Sequence, residues 1–456
     1  MKVAIINKSE NTGGAAVVSR RLMEALRQQG VDARMIVVEK SSNHNRREYE
    51  NSINSTNVKC QVVSVNDSFF RKINSKYKFL IERLKIFIAN GFNRSSLFKI
   101  DTGEEGIPLW KNPFVKEADA ILINWINQGM LSLKGFKRIL QLGKPVIWTM
   151  HDMWEMTGIC HHAGKCNHFT KECGDCWLLG LHSSPDDLSH KIWLRKNKIY
   201  TDKVLMKKMA FVAVSRWLKE KAMESGLLKC QRVEVIHNAF DLKDRESIAN
   251  NGHPGERETH SQNKNRIRIL FGAARLDDPI KGLMTLKAAA ELLKKEYPEI
   301  SERLEIAMFG SIRNAKLLDG FSLPLIHLGI LKTEEEVREA YENSEIVVSA
   351  SSYETLPGTL VEAQAFGCIP VSFNQGGQSD IIENGITGFI TQYSSEPGQR
   401  ASNLAEGILK AVEVIDKPEK RKEMLRDMRE SVYNKFSFSG IAGQYIDLIE
   451  SLSAKS

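Results

Sequence analysis

Long apolar runs are absent from this sequence. Nowhere do about eighteen uncharged apolar residues follow one another, the length that a membrane-spanning helix requires, so no segment is expected to cross a bilayer. The amino-terminal stretch MKVAIIN contains one lysine and an apolar run that is too short for the hydrophobic region of a signal peptide. We therefore expect a cytoplasmic protein that begins with a strand.

Cysteine is scarce and acidic charge is in the minority. The chain has 7 cysteines, an odd number, which argues against a disulfide framework and favours reduced thiols or metal ligands. The formal charge of +8 favours anionic partners such as phosphates or an anionic membrane. The excess is modest and no aromatic-basic RNA motif accompanies it, so we expect no nucleic-acid partner.

Short β-branched runs alternate with amphipathic stretches in two series. At 456 residues the chain exceeds the size of a single hydrophobic core, which predicts two domains. Residues 1–240 and 267–430 each show the alternation of a doubly wound α/β domain, and 241–266 form a polar linker between them. We assign 431–456 to a carboxy-terminal helix that could cross back to the first domain.

Two glutamates follow the strand SEIVVSAS of the second domain. Glu354 lies in the loop, and Glu362 is expected in the first turn of a helix that starts near Thr359. Such a helix start directs the amides of Thr359 and Leu360 outward, an arrangement that suits the phosphates of a nucleotide. The two carboxylates are acceptors for sugar or ribose hydroxyls.

Two cations follow an earlier strand of the same domain. Arg275 and Lys281 lie in the segment ARLDDPIKGL after RIRILFGAA. Both would bind a diphosphate and stabilise the charge that develops on a departing nucleotide. Taken singly, each of these four residues is weak evidence for a binding site. Their order and their placement after consecutive strands together predict a donor site.

This combination resembles the large retaining glycosyltransferase group of GT-B fold, the glycosyl transferases group 1. The segment HDMWEMTGICHHAGKC resembles bacterial surface-polysaccharide enzymes of the colanic-acid type. The resemblance implies two facing Rossmann-like domains with a deep cleft, a nucleotide-diphosphate-sugar donor and a saccharide or lipid-linked acceptor. It also implies that Glu354 holds the donor sugar, Glu362 the ribose, and Arg275 with Lys281 the diphosphate. Transfer would occur with retention and without a catalytic metal cofactor.

The first domain offers further candidates at the ends of its strands. Gly13 and Gly14 precede a helix, where backbone can approach a ligand closely, although a flexible turn would look the same. His151 follows the strand KPVIWTM and could donate to a sugar hydroxyl, or it could cap the following turn. The family has a Gly-rich loop and a histidine in similar places. Asp152 would orient His151 or serve as a helix cap.

Four of the cysteines lie within seventeen residues in a Cys/His-rich loop of about 151–180. Cys160, Cys166, Cys173 and Cys176 could bind a structural zinc, and the last pair has the CxxC spacing. The two preceding gaps do not match the usual zinc pattern, so free structural thiols are an equal alternative. We expect no catalytic metal.

A basic insertion of about 41–110 completes the first domain. Its segment 71–100 carries eight lysines and arginines against one glutamate, with apolar residues interleaved. Such a segment could rest on anionic lipid at the inner face of the membrane. A basic surface helix packed on its own domain is an alternative at least as good.

Two other function classes remain open at this point. A sugar-nucleotide epimerase of the same fold would use the same nucleotide-binding residues for different chemistry. A noncatalytic scaffold for polysaccharide assembly would be built around the cysteine loop. The nucleotide base, the sugar, the acceptor and the linkage depend on the shape of the pocket and are not specified by these motifs.

Overall fold

The computed structural model describes residues 1–40, 61–242 and 266–454. The chain divides into two compact units, Met1–Phe240 with Phe438–Ser456, and Asp241–Ser437. Residues 41–60 of the predicted basic insertion and 243–265 of the predicted linker lie outside the described residues. No helix in the described part of the chain is both long enough and apolar enough to cross a membrane.

The first unit is built on a seven-stranded parallel sheet with the order β3-β2-β1-β4-β5-β6-β7. Most of its strands are buried along their length, as expected for continuous apolar runs covered on both faces. The strands are β1 (Lys2–Ile6), β2 (Asp32–Val37), β3 (Val62–Ser64), β4 (Ala120–Ile123), β5 (Val146–Met150), β6 (Met209–Ala213) and β7 (Val233–Val235).

The α-helices of the first unit connect these strands and cover the sheet. They are α1 (Gly14–Gln28), α2 (Phe69–Ala89), α3 (Pro113–Glu117), α4 (Leu133–Leu140), α5 (Leu188–Tyr200), α6 (Arg216–Glu224) and, from the end of the chain, α14 (Phe438–Ser453). Several begin at a side-chain cap, such as Ser68 before α2 and Asp187 before α5.

The last helix belongs to the first unit although the second unit precedes it in sequence. α14 packs against α1 and buries Tyr445, Leu448 and Leu452 in the core beneath β1 and β2. The hydroxyls of Tyr445 and Thr149 lie 2.8 Å apart, which ties α14 to β5. The chain therefore leaves the first unit and later returns to complete it.

The second unit contains a six-stranded parallel sheet with the order β10-β9-β8-β11-β12-β13. Its strands are β8 (Ile267–Arg275), β9 (Leu304–Ser311), β10 (Leu325–Gly329), β11 (Ile346–Ser349), β12 (Ile369–Phe373) and β13 (Phe389–Thr391). Its α-helices are α7 (Leu283–Glu296), α8 (Pro298–Ser301), α9 (Glu334–Glu342), α10 (Gly358–Phe366), α11 (Gln378–Ile381), α12 (Pro397–Ile415) and α13 (Pro418–Phe436).

Both sheets reverse their strand order once, so each unit is doubly wound. In the first unit the reversal lies between β1 and β4, and in the second between β8 and β11. The α/β class with two Rossmann-like domains, predicted from the alternation of strands and helices, is confirmed. Ligands of such sheets bind beyond the carboxyl ends of the strands at this reversal, so the loops after these four strands are the places to examine.

Candidate functional site

The reversal point of the second unit carries an ion pair between the loops after β8 and β11. Lys281 Nζ lies 2.6 Å from Glu354 Oε1, and the hydroxyl of Ser351 donates to the same oxygen at 2.8 Å. The Lys281 side chain is 31 % exposed and that of Glu354 is 18 % exposed. The structure thus brings together two residues that are 73 positions apart, and their roles in a donor site stay a prediction.

Local backbone geometry places Lys281 at this point. Asp278 caps the short 3-10 helix Pro279–Lys281 by accepting the amide of Ile280 at 3.1 Å. The next residue, Gly282, has φ of 79°, and a Cβ there would lie 2.0 Å from the carbonyl oxygen of Ala350. Only glycine allows this approach, which holds the Lys281 turn against the end of β11.

The loop that carries Glu354 is held by the segment after β12. The amide of Glu354 donates to the carbonyl of Gln375 at 3.2 Å, and the amide of Gly377 donates to the carbonyl of Glu354 at 3.0 Å. A Cβ on Gly376, whose φ is 136°, would lie 1.8 Å from the Glu354 carbonyl oxygen. The position of Glu354 therefore depends on a glycine that the sequence motifs did not single out.

Arg275 ends β8 and is 40 % exposed, but it does not contact the ion pair directly. Its guanidinium lies 3.4 Å from Asp277 and 3.6 Å from Asp278. Asp277 also accepts the amides of Arg313 and Asn314 at 3.1 and 3.3 Å, which fixes the loop after β9 beside the loop after β8. Asp277 was not predicted as a site residue, because a carboxylate between Arg275 and Lys281 in the sequence matches no known motif.

Helix α10 begins at Gly358, directly after Pro357, one residue earlier than the sequence predicted. Thr359 is the second residue of α10, so its amide lies in the first turn, where backbone N–H groups have no acceptor within the helix. The amide of Leu360 differs from the prediction, because it already donates to the carbonyl of Pro357 at 3.1 Å. Contact of the Thr359 amide with phosphate stays a prediction from the sequence.

Glu362 also departs from its predicted position. Because α10 begins at Gly358, Glu362 lies at the start of the second turn and not in the first. It is half-buried, and its carboxylate accepts a hydrogen bond from the hydroxyl of Tyr341 at 3.0 Å. The contact with α9 fixes this side chain on the flank of α10.

The comparisons with known proteins match this unit. Residues 256–430 match the family described as glycosyl transferases group 1. The matched range contains Arg275, Lys281, Glu354, Thr359 and Glu362, whereas His151, the amino-terminal glycines and the cysteine cluster lie outside it.

Two curated relatives extend the likeness beyond the matched range. A glycogen synthase from Pseudomonas fluorescens is 27 % identical over 215 residues, covering 44 % of this chain and 42 % of that protein. A putative colanic acid biosynthesis glycosyl transferase from Escherichia coli, WcaC, is 21 % identical over 296 residues, covering 64 % of this chain and 67 % of that protein. The chain thus spans less than half the length of the glycogen synthase.

Solved structures resemble the whole fold. A glycosyltransferase from Rickettsia africae superposes with a TM-score of 0.64 at 16 % identity, covering 100 % of this chain and 99 % of that one. The Anabaena protein HepE in complex with UDP-glucose gives a TM-score of 0.55 at 14 % identity, covering 100 % of both chains. At these identities the likeness shows the fold alone, and it confirms the GT-B class.

In the first unit, Gly13 ends the exposed turn after β1, and Gly14 is the first residue of α1, so only Gly13 precedes the helix as predicted. Gly13 has φ of 88° and its carbonyl accepts the amide of Ala16 at 3.1 Å, so it begins the helix in a conformation that favours glycine. No heavy atom lies within 4 Å of the Cβ that either position would gain. The space required for close approach of a ligand is therefore present.

His151 follows β5 and lies opposite Asn124, which follows the neighbouring strand β4, one strand away from the reversal between β1 and β4. The His151 Nε2 is 2.8 Å from the amide oxygen of Asn124, and because that oxygen only accepts, Nε2 carries the ring proton. Burial lowers the pKa of His151 to about 4, so the ring is neutral at pH 7. The predicted neutral ring is present, but its proton points at Asn124.

Asp152 does not orient His151 through a hydrogen bond. It accepts the amide of Trp154 at 2.8 Å at the start of a 3-10 turn, and it accepts the indole N–H of Trp125 at 3.0 Å. Its second oxygen also lies 2.8 Å from Nδ1 of His161. The N-cap of the 3-10 helix Trp154–Met156 is Met153, so Asp152 does not cap it but joins this turn to Trp125 and His161.

His161 bridges two buried carboxylates, which the sequence did not predict. Its Nε2 lies 2.8 Å from Asp101, and Asp101 is also paired with Arg83. Burial alone would lower the pKa of His161, but Asp152 and Asp101 together raise it to about 10. We name this set of Asp101, Asp152 and His161 the buried triad. Its members are up to 60 positions apart, so no local spacing could reveal it.

In the cysteine loop Cys173 is buried, whereas Cys160, Cys166 and Cys176 are partly exposed. Burial raises the pKa of Cys173 to about 12 and that of Cys176 to about 11, and it raises the pKa of Cys160 well above its usual range. Within 1–40, 61–242 and 266–454, no group of three or more His, Cys, Asp or Glu side chains is placed to hold a metal ion. Zinc binding by Cys160, Cys166, Cys173 and Cys176 stays a prediction from the sequence.

A polar cavity of about 460 Å³ lies beside this loop in the first unit. His190 lines it and lies 3.3 Å from Glu172 and 3.7 Å from Asp186. Carboxylates and imidazoles of this kind are acceptors and donors for hydroxyl groups. The loop thus presents a polar wall of the type that a saccharide would contact.

Proposed function

We infer that this chain is a glycosyltransferase that moves a sugar from a nucleotide diphosphate donor to an acceptor hydroxyl. The observation that carries this inference is the pairing of Lys281 with Glu354 at 2.6 Å, at the reversal point of the unit that matches the glycosyl transferases group 1 family. One ammonium and one carboxylate held side by side match a donor that carries a charged diphosphate beside a neutral sugar.

Each group has a role that follows from its chemistry. The ammonium of Lys281 and the exposed guanidinium of Arg275 are the cations for the diphosphate, with the Thr359 amide at the start of α10 as a further donor. As the bond from sugar to phosphate breaks, these charges stabilise the leaving nucleotide. Glu354 is left to accept hydrogen bonds from the sugar hydroxyls, and Glu362 from the ribose.

The donor class is supported from a second direction. The Anabaena protein that shares this fold was solved with UDP-glucose. Because the shared fold is the only ground for this comparison, we propose a nucleotide-diphosphate-sugar without naming its base or sugar. We also propose that transfer needs no metal cofactor, since Lys281 and Arg275 already supply positive charge at the diphosphate.

Retention of configuration and a part in bacterial surface-polysaccharide synthesis are further proposals. The pair Glu354 and Glu362 resembles the motif of the retaining group, and the relative WcaC is named for colanic acid biosynthesis. The polar cavity beside the cysteine loop favours a saccharide acceptor. An anomer-resolved NMR spectrum of the product tests retention.

The activity is tested in two steps with the full chain. A panel of nucleotide sugars is first screened for thermal stabilisation, because a ligand that binds only the folded state raises the unfolding temperature. With the best donor, release of free nucleotide is then measured with and without saccharide acceptors, in the presence of EDTA. Acceptor-dependent release is expected.

The rival functions give different results. An epimerase converts the donor sugar without any acceptor, and that outcome would contradict transfer. Glu354→Gln should abolish release, whereas the control Glu291→Gln on the exposed side of α7 should not. If a strain carrying Glu354→Gln still makes normal polysaccharide, the chain acts as a noncatalytic scaffold.

A further inference from the structure

Helix α2 of the first unit turns an apolar side toward solvent. Seven large side chains along it are between 49 % and 82 % exposed. We call this set the α2 stripe, and its members are Phe69, Phe70, Ile73, Tyr77, Leu80, Leu84 and Ile88. Exposed apolar residues are common when scattered singly, but a continuous row of this size marks an interaction surface.

The spacing places the stripe on one face of the helix. Phe69 and Phe70 are adjacent, and from Phe70 to Ile88 successive members are three or four residues apart, which is the repeat of one side of an α-helix. At 21 residues the helix is about 31 Å long, so the stripe runs along most of that length. It is therefore a long, narrow apolar surface.

The opposite face fastens the helix to its own unit. Ser75, Glu82 and Ile86 are buried on that side. The carboxylate of Glu82 accepts the amides of Thr102 at 3.2 Å and Gly103 at 3.0 Å. These contacts fix the rotation of α2 about its axis, so the unit holds the stripe outward. The structure therefore shows α2 packed on its own unit, which was the alternative to a lipid-bound helix. Its large apolar side chains, however, face solvent and not the unit.

Basic residues border the stripe on both sides. Lys72 and Lys76 lie along one edge and are exposed. Along the other edge, Lys78 and Lys85 form ion pairs with Glu105 at 2.9 and 2.8 Å. An apolar face between basic edges is the pattern of a helix that lies in the interface of a membrane with anionic lipids.

We propose that the α2 stripe docks this protein on an anionic lipid bilayer, with the helix parallel to the membrane plane. The apolar side chains would enter the boundary between headgroups and acyl chains, and Lys72 and Lys76 would face the lipid phosphates. A second copy of the chain is a poorer occupant, because pairing two stripes brings like-charged lysine edges together. Nucleic acid would not require the apolar row. This inference does not depend on the proposed transfer reaction.

The full chain is tested by flotation with vesicles of phosphatidylcholine, with and without phosphatidylglycerol. Binding is expected to the vesicles with phosphatidylglycerol, and it should weaken as salt is added because salt screens the lysine contribution. A protein that stays in the soluble fraction with these vesicles at low salt overturns the proposal.

Variants locate the binding surface. Leu80→Ser with Leu84→Ser should lower the partition coefficient about tenfold or more for each leucine. Lys72→Gln with Lys76→Gln should lower it roughly thirtyfold on anionic vesicles. The matched control is Val204→Ser, which removes a side chain that is 84 % exposed and lies outside α2.

Two further outcomes decide against the lipid surface. If the leucine double variant floats as well as the Val204→Ser control, the stripe is not the docking surface. If light scattering shows a dimer that the leucine double variant converts to monomer, with lipid binding absent in both, a second copy covers the stripe. Circular dichroism melting confirms that each variant is folded, which the exposure of the changed side chains predicts.

Discussion

The two sheets carry their polar residues in contrasting states. Beyond the first sheet, the buried triad is sealed from solvent and its members bond to one another, with Asp101 fully buried. Beyond the second sheet, Lys281 and Glu354 form a pair whose side chains remain 31 % and 18 % exposed. Both sets contain opposite charges at hydrogen-bond distance, yet only the second can reach a ligand without breaking the fold.

This contrast separates a structural use of charge from a functional one. A buried pair that loses one partner leaves an uncompensated charge, so the triad should matter for stability. A partly exposed pair adds little stability, because water already solvates both groups. The following predictions test this division, beginning with the largest expected effect.

His161→Ala should destabilise the protein by about 3–5 kcal/mol, because it removes the cation between two buried carboxylates and leaves Asp101 with Arg83 alone. Denaturant unfolding measures the change. His182→Ala is the control, since this exposed histidine makes one bond to the carbonyl of Ala89 at 3.1 Å and should cost less than about 1.5 kcal/mol. Equal losses in the two variants would contradict a structural role for the triad.

Lys281→Met should lower kcat/KM by roughly 100-fold to 1000-fold, about 2.7–4 kcal/mol of transition-state stabilisation. Its free energy of unfolding should change by no more than about 1 kcal/mol, because the pair with Glu354 is partly exposed. Lys294→Met, on the exposed side of α7, is the control for both measurements. A large loss of stability with little loss of activity would show that Lys281 has a structural role, and it would contradict the functional role assigned to the pair.

Gly376→Ala should destabilise the second unit by about 2–3 kcal/mol more than Gly385→Ala. Both glycines have positive φ, 136° and 82°, but only at Gly376 would the new Cβ meet the Glu354 carbonyl. The difference between the two unfolding free energies isolates that contact. Activity should fall in the Gly376→Ala variant and not in the Gly385→Ala variant, because only the new Cβ at position 376 forces Glu354 to move.

The stability that His161 contributes should depend on pH. Its pKa is raised to about 10 in the folded protein, so its contribution is complete below the unfolded pKa of about 6.5 and is lost as pH rises toward 10. The difference in unfolding free energy between the wild type and His161→Gln should therefore shrink by about 2 kcal/mol from pH 6.5 to pH 8. A constant difference over this range would show that His161 is neutral in the fold.

Ser351→Ala should have the smallest effect. The hydroxyl donates to Glu354 Oε1 at 2.8 Å beside Lys281, so its loss removes one hydrogen bond worth about 1 kcal/mol. We expect KM for the donor to rise by about fivefold with kcat little changed. Ser352→Ala on the neighbouring residue, whose hydroxyl contacts Ile280 instead, is the matched control.

The fold and part of the candidate site followed from the sequence. Alternating apolar runs specified two parallel sheets, and the rule that ligands bind beyond strand ends selected Lys281 and Glu354, which the structure places in contact. The same rule does not specify helix starts to one residue, so the amide of Leu360 is already bonded to Pro357 and Glu362 lies in the second turn of α10 and not in the first. Asp277 and Gly376 act through backbone contacts that have no local sequence signal.

The first unit was harder to predict because its important contacts join distant segments. His161 was visible only as one histidine among cysteines, and nothing in the sequence linked it to Asp101. The periodicity of α2 showed an amphipathic helix, but periodicity does not reveal which face the protein covers. Glu82 and Arg83, counted among the surface charges of the basic segment, prove to be buried.

The placement of α14 sets an order on synthesis. All residues of the second unit are synthesised before Tyr445, Leu448 and Leu452, so the first unit lacks part of its core until the chain is nearly finished. Translation that stops near Ser437 would give a complete second unit attached to a first unit whose apolar interior is open to water. Quality-control proteases would meet such a product as a half-folded chain.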